Sequence, residues 1–589
     1  MFPTFLAQRL QRPALALTLA AASWLAGCAS PPAATFANDP AAPASAPAAA
    51  ASAPTRTLTL LSINDFHGNL QSHGPTPATL RLPEGPKAEP GKPEPAGGIP
   101  YLASALAELR AQHPDAVVVA AGDLIGASPQ TSALLADEPS LEAFDKLGIV
   151  ASALGNHELD GGLAVLQDKI AGRCPAQGCP LPGYQGIHFP YLAANMLDAS
   201  TGQPIFKSYV IREIDGLKVA FVGAITQNTP GVSLARNMVG LRFLDEADTL
   251  NALVPQLRAE GAQVLVAVMH EGAEWRGAAN DPSYACEGLG GRGVDIAHRL
   301  SQDYALIISG HSHMAYTCKV DGRLLVQAGS FGAWITETTL QVDAQGHVLD
   351  AQAVNVPVLQ SRYQPDPAFA ALEARAEKLT EPVRMRPIAT LAHGLHRIPK
   401  DPDGDAGLGN LIADSQAAYA RTHDTVTVGP VIAFMNQGGI RTDLEASPAR
   451  PVNLSELTAI QPFHNDLVAL TLTGAQVRDL LTHQLPRGAG NPRMLQPSSS
   501  LRYTWTRNAD GSGARLVDVK VDGQPLDDAR DYRIVVNGFM ADGGDGASGL
   551  RQGRDRVQLG VDLDAMLEYV AAHPEAVDAV EPGRIRRVE

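Results

Sequence analysis

Leu58-Thr59-Leu60-Leu61-Ser62-Ile63-Asn64-Asp65-Phe66-His67-Gly68 decides how this chain is read. A short, largely apolar run predicts a buried strand. It ends directly in residue types that bind metals or turn the chain. The pattern recurs downstream. Ala116–Ala121 is followed by Gly122-Asp123, Val264–Met269 by His270-Glu271-Gly272, and Ala305–Ile308 by Ser309-Gly310-His311-Ser312-His313. Gly155-Asn156-His157-Glu158-Leu159-Asp160 lies between them, and Val219–Ile225 is a further apolar run. Alternation of such runs with helical stretches gives an α/β block over 56–360. Several runs are continuous, so these strands are expected to be covered on both faces.

Ligands gather at the carboxyl ends of strands in α/β sheets. Five polar clusters converging there would form a cup rich in oxygen and imidazole. A lone Gly-Asp is usually a turn, and a lone His beside Gly an ordinary loop residue; the ordered set is what points to a site. Two divalent ions that clamp an in-line displacement at phosphorus need a bridging carboxylate, neutral imidazoles and few thiolates. Mixed N/O donors suit Zn, Mn, Fe or Co better than Ca. In Asp65-x-His67 and His311-x-His313 the residues lie two apart, so each pair shares a face if strand geometry persists.

The order Asp-x-His, Gly-Asp, Gly-Asn-His-Glu, His, Gly-His-x-His resembles the calcineurin-like metallophosphoesterases. The resemblance implies a β-sandwich flanked by helices and holding two metals. Asp65, His67, Asp123 and His313 would hold one ion. Asp123, Asn156, His270 and His311 would hold the other, with Asp123 bridging. The Gly-Asn-His-Glu-Leu-Asp form resembles the 5′-nucleotidase branch, in which His157 works beside the phosphate and Asp160 orients it. A carboxylate on one ring nitrogen fixes the tautomer and supports an imidazolium at the other.

A helix over 366–381, capped by Asp366, carries Phe369, Leu372, Ala376 and Leu379 as one stripe and is expected to stop at Pro382. It lies within the connection 361–385. Beyond it, four segments resemble signatures of the 5′-nucleotidase C-terminal domain: 407–414 (Gly-Leu-Gly-Asn-Leu-Ile-Ala-Asp), Asn436 to Arg441, Gln461 to Asn465, and Asn537 to Gly546. The resemblance covers roughly 56–589 and implies a smaller α/β domain over 386–589. Its residues read as a nucleoside pocket. Phe463 and Phe539 could sandwich a base. Asp545 could accept from ribose hydroxyls, Asn436 and Asn465 could read base or sugar edges, and Arg441 could hold an anion with its planar fork. Relatives often carry an Arg where this chain has Gly404; Arg397 or Lys400 would have to substitute. Ser498-Ser499-Ser500 stands where relatives often carry a Gly-rich turn.

The 589 residues exceed what one core accommodates and predict two large domains. A net charge of −16 disfavours nucleic-acid polymers. It leaves room for a small anionic substrate, because bound metals can reverse the local sign. Arg9 and Arg12 followed by the short apolar run Pro13–Leu25 read as an export signal. Leu25-Ala26-Gly27-Cys28 resembles a lipobox, giving a signal over 1–28 and a lipid anchor on Cys28. The Ala/Pro/Ser-rich stretch 29–55 is then a tether. Ala29 after the Cys favours the outer membrane of a diderm cell, facing periplasm or cell surface. Removing Cys28 from the five cysteines leaves an even number, which in an oxidising compartment suggests two disulfides: Cys174–Cys179 and then Cys286–Cys318. Residues 75–98, rich in Pro and Gly, read as a surface insertion.

The expected activity is export-side hydrolysis of nucleoside 5′-monophosphates to nucleoside and phosphate, by in-line attack of a metal-bound hydroxide. UDP-sugar hydrolase and 2′,3′-cyclic nucleotide 2′-phosphodiesterase activities are the enzymatic alternatives. A non-catalytic nucleotide-binding lipoprotein is the alternative of another class. No protein partner is implied.

Overall fold

The computed structural model describes residues 55–588 apart from 74–77, 85–88, 91, 177, 344, 402 and 487–493. The export signal, the Cys28 lipobox and nearly all of the tether lie outside the described residues.

Two six-stranded sheets build the first part of the chain. One runs, in spatial order, Val348–Pro357, Trp334–Val342, Arg56–Ile63, Val117–Ala120, Ile149–Ala153 and Tyr191–Leu192. The other runs Tyr209–Ile214, Leu217–Ile225, Val264–His270, Tyr304–Ser309, Arg323–Ala328 and Ala315–Val320. Leu58 and Leu60 join Val219, Val266 and Leu306 in the core between the sheets. Leu61 and Ile63 face the other way, into helices Ile99–Gln112 and Glu138–Leu147. Helices Glu246–Ala259 and Arg292–Arg299 cover the outer face of the second sheet. That double covering explains why these strands read as continuous apolar runs. The insertion 75–98 carries a short antiparallel pair, Ala78–Leu80 with Glu94–Ala96.

The linking helix spans Pro367–Arg384, and the Asp366 side chain caps it by accepting from the N–H groups of Ala368 and Phe369 (2.8 and 3.2 Å). Pro382 does not stop it. The proline lacks the N–H that would bond the carbonyl of Lys378, a loss the helix tolerates on its exposed side. Leu372 and Ala376 are buried as expected, but Leu379 is 44% exposed, and Glu373 and Thr380 take the buried face with them.

After it comes a five-stranded sheet ordered Gln496–Pro497, Val431–Met435, Asp531–Asn537, Asp466–Thr473, Arg554–Val561. Helices Gly407–His423 and Asp562–Ala572 press Ala413, Ala417 and Ala565 onto one face. Helix Gly474–Gln484 and a four-stranded sheet built around Leu501–Arg507 cover the other. The Ser498–Ser500 run buttresses this sheet: Ser498 Oγ accepts from Ala433 N (2.9 Å), and Ser500 Oγ donates to Val431 O (2.7 Å). Both expected disulfides form, Cys174–Cys179 and Cys286–Cys318. Among the described residues no helix is long and apolar enough to cross a membrane.

Candidate active site

Each ligand-type cluster sits at the carboxyl end of a strand in the paired sheets. Asp65 follows Arg56–Ile63, Asp123 follows Val117–Ala120, and Asn156 follows Ile149–Ala153; His270 ends Val264–His270, and His311 follows Tyr304–Ser309. They meet as two groups whose donor atoms lie within 4.8 Å of one another: Asp65, His67, His313, and Asp123, His270, His311. Asp123 stands between the groups, its Oδ2 3.0 Å from His270 Nε2 and 3.6 Å from His67 Nε2. Asn156 Oδ1 is 3.1 Å from His270 Nε2.

The shared strand face expected for Asp-x-His and His-x-His is not how these side chains converge. The first strand ends at Ile63, and the fourth-cluster strand at Ser309. Five of the seven predicted ligands instead adopt left-handed backbone, with φ of 50° at Asp65, 48° at His67, 51° at Asp123, 71° at His311 and 58° at His313. Such conformations cost roughly 1–2 kcal/mol for an L-residue and gather at functional sites. Backbone bonds hold them in place: Asp65 N donates to Gly122 O and His67 N to Asp123 O (3.0 and 2.9 Å).

The donor set fits divalent transition metals. His67 Nδ1 donates to Gly126 O (2.9 Å), so its lone pair is on Nε2, which faces His313 Nε2 at 3.0 Å. His270 Nδ1 donates to Ala121 O (2.8 Å), so its Nε2 faces oxygens of Asn156 and Asp123. A backbone carbonyl on the far ring nitrogen is the usual support for a metal-bound imidazole. Burial pushes His67 and His311 down to about 3 and His313 well below its ordinary value, which keeps these rings neutral donors. Burial opposes ionisation of Asp123, yet His270, His157 and His67 hold its carboxyl well below the usual carboxylate range. His270 is also lowered by burial, but Asp123 and Asp65 outweigh this and push it up to about 10. The pocket thus selects for positive charge beside Asp123, the charge a metal would bring.

His157 belongs to neither group. Its Nδ1 lies 2.9 and 3.1 Å from the two carboxylate oxygens of Asp160, and its ring stacks on Phe463 with centroids 5.5 Å apart and planes 22° apart. Burial lowers its pKa, but Asp160 and Asp123 more than offset this, and the net direction is upward.

Glu158, to which sequence reasoning gave no role, anchors these loops. Its carboxylate accepts from Gly155 N (2.7 Å), Asp123 N (3.0 Å), Leu124 N (2.7 Å) and Ile125 N (3.4 Å). Burial pushes it up to about 7 despite those donors. Gly155 is needed at this junction, since a Cβ there would collide with Asp123. The only signal for Glu158 was its place inside the motif. Glu158→Gln would set an amide N–H against backbone donors. It is expected to lower stability by about 1–3 kcal/mol and reduce the metal retained per chain. Unfolding curves and elemental analysis check this; unchanged values of both would show that the carboxylate does not hold the loops.

One cavity of about 260 Å³ is lined by Asp123, Asn156, His157, Asp160, His311 and His313, and also by Asn436, Arg441, Phe463, Asn465, Phe539 and Asp545. All six predicted pocket residues of the second domain therefore share a wall with the metal-type cluster. Several lie at the carboxyl ends of the parallel strands Val431–Met435 and Asp531–Asn537. Phe463 and Phe539 are half-buried, and a Cβ at Gly544 would strike the Phe539 ring. The Arg441 guanidinium lies 5.8 Å from the Phe463 ring centre. Asn436 is less free than expected: Nδ2 donates to Asp545 Oδ2 (2.6 Å), and Oδ1 accepts from Asn537 (3.0 Å). It orients Asp545, and Asn537 is a cavity residue for which the sequence argument had no use. Asn465 donates to Asp562 (3.2 Å).

Gly404 lies outside this cavity, its N–H bonded to Asp401 O at 3.0 Å. Of the two substitutes considered, Arg397 lines a larger adjoining cavity of about 1280 Å³ that shares Arg441 and His313 with the first; Lys400 lines neither. Burial and the neighbouring Arg397 both lower the Arg441 pKa, so the two cations lie close together.

Residues 58–315 match the calcineurin-like phosphoesterase family, and residues 387–552 match the 5′-nucleotidase C-terminal domain. A 5′-nucleotidase of Vibrio vulnificus (strain CMCP6) is 25% identical over 601 residues, covering 94% of this chain and 95% of that protein. Endonuclease YhcR of Bacillus subtilis (strain 168) is 30% identical over 548 residues and covers 90% of this chain, which spans 41% of that relative's length. The solved 5′-nucleotidase precursor of Thermus thermophilus superposes with a TM-score of 0.69 at 25% identity, covering 91% of this chain and 100% of that one. The chain belongs to the family of metal-dependent phosphoester hydrolases that joins a calcineurin-like phosphoesterase domain to a 5′-nucleotidase C-terminal domain.

Proposed function

We propose that the protein hydrolyses nucleoside 5′-monophosphates to nucleoside and phosphate outside the cytoplasm. The observation that carries this is the single cavity walled by the Asp/His cluster on one side and by Phe463, Phe539 and Asp545 on the other. The metal domain spans 56–360, the connection 361–385 and the selecting domain 386–589. Asp65, His67, Asp123 and His313 would hold one divalent ion, and Asp123, Asn156, His270 and His311 a second. Bound there, the pair would supply positive charge to the phosphoryl oxygens and lower the pKa of the attacking water.

The chain's own groups do the rest. Phe539 and the free face of Phe463 flank the base. Asp545, oriented by Asn436, accepts from ribose hydroxyls, and Asn465 offers its amide oxygen. Arg441 holds the phosphate through paired N–H groups. His157, with Asp160 on Nδ1, presents Nε2–H to the leaving O5′ and delivers its proton as the ester bond breaks. Two paired disulfides suit an oxidising compartment, and the export signal and Cys28 anchor would place the enzyme at the outer membrane.

The larger cavity beyond His313 and Arg441 favours a second reading, in which the phosphate carries a further group, as in UDP-sugars or 2′,3′-cyclic nucleotides. Phosphate release across a panel of these esters and a small aryl phosphate, with Mn, Zn or Co added, decides between them. Nucleoside monophosphates are expected to exceed the aryl phosphate in kcat/KM by about 10-fold or more, as remote binding is used at the reacting centre. Cleavage of the aryl phosphate with no turnover of any nucleotide would sink the nucleotidase reading.

A further inference from the structure

We propose that Phe463 is a positioning residue for His157, so that docking of the second domain completes the catalytic pair of the first. This rests on the role given to His157 above.

Three groups fix the His157 ring. Asp160 holds Nδ1, but its side chain is 35% exposed, a tether on a partly solvated carboxylate. His67 meets the ring edge-on, with centroids 5.0 Å apart and planes at 71°. Among the described residues Phe463 alone covers a ring face in near-parallel stacking. The first two come from the metal-bearing domain and the third from the other. A reacting group is held only as well as its own rotamer is packed. Without Phe463, one face of the imidazole would open onto the cavity and the ring could turn about its tether.

Phe463 lies three residues beyond a helix that contacts the first domain. Leu454–Ile460 packs against the short helix Gln130–Ala133 and against the linking helix. Across that contact Gln130 Nε2 donates to Thr458 Oγ1 at 2.8 Å, both groups buried. Three residues beyond that helix Phe463 stacks on His157, and the chain turns directly after it at His464, whose φ is 50°. On the receiving side, the segment that carries Gln130 also bonds the catalytic pair, through Ala127 N to Asp160 Oδ2 (3.2 Å). One docking contact therefore registers both ends of the arrangement.

The test uses the full chain loaded with Mn and a phosphate ester without any ring, β-glycerol phosphate, which gives Phe463 no base to stack on. Phe463→Ala is expected to lower kcat on this ester by about 10-fold or more, the scale of a small misplacement of a reacting group. KM should stay within about twofold, and Phe463→Tyr should restore most of the rate. If kcat on β-glycerol phosphate matches wild type and only nucleotide KM suffers, the ring serves the base alone and the proposal falls. A second readout does not need turnover. With ¹³Cε1-labelled histidine in protein loaded with diamagnetic Zn, the His157 resonance, assigned by its loss in His157→Gln, should be shifted upfield by the stacked ring and should move downfield in Phe463→Leu. No movement in a folded Phe463→Leu protein overturns the proposal. If wild type cleaves no phosphoester, the assignment of His157 fails while the resonance still reports the stacking.

Discussion

Asp123→Ala is expected to cut phosphate release by on the order of 10³-fold or more and to strip metal from the protein together with the activity. The Asp123 carboxylate lies against a ring of each cluster, at 3.0 Å from His270 Nε2 and 3.6 Å from His67 Nε2. Its other oxygen accepts from His157 N at 2.9 Å, so it also fixes the loop that carries His157 and Asp160. Alanine would leave Asp65 as the sole carboxylate in the two groups. Metals contribute several kcal/mol at a phosphoryl transition state, and about 1.4 kcal/mol is a factor of ten in rate. Asp123→Asn keeps the shape and removes the charge, so an equal loss there separates metal binding from collapse of the loop. Chelation of the wild type should give the same result and be reversed by Mn, Zn or Co. Full activity in wild-type protein shown metal-free by elemental analysis would end the assignment.

His157→Ala should behave differently, keeping its metal and losing turnover by about 10²-fold or more, the usual worth of a positioned acid or charge stabiliser. The separation follows from geometry: His157 Nδ1 is engaged by Asp160, and the ring is in neither ligand group. Asp160→Asn should show a smaller loss, since the ring would keep its packing but lose the carboxylate that raises its basicity. Elemental analysis beside the rate measurement is the check. A variant short of one ion per chain would make His157 a ligand and remove it from proton transfer.

Strand-end placement was legible because burial on two faces writes itself as continuous apolar runs, and the polar residue after each run is then at a carboxyl end. The strand-end positions of Asp65, Asp123, His270 and His311 followed from that; the place of Asn156 came from the family resemblance, and the cap at Asp366 from an Asp-Pro helix start. What composition and spacing do not encode is backbone handedness. The left-handed turns at Asp65, His67, Asp123, His311 and His313 replace the strand geometry that residue spacing suggested. Nor does a sequence say which polar groups are spent on each other. Asn436 reads as a substrate contact, and its amide is also found bonded to Asp545 and Asn537. Glu158 reads as a mere neighbour of His157 until its carboxylate is found holding four backbone N–H groups. Pro382 misled for a related reason: its effect depends on which side of the helix the lost bond lies.

The left-handed ligands also shape how such a chain could drift. Glycine adopts that backbone at little cost, whereas His67 is held there by its backbone bond to Asp123 O. A lineage released from hydrolysis would gain stability by replacing His67, His311 or His313 with glycine while keeping its turns, its sandwich and its aromatic pocket. Loss of catalysis in descendants of this fold should therefore be recorded as glycine or asparagine in those slots rather than as scattered substitution, leaving the walls of the cavity on an intact frame.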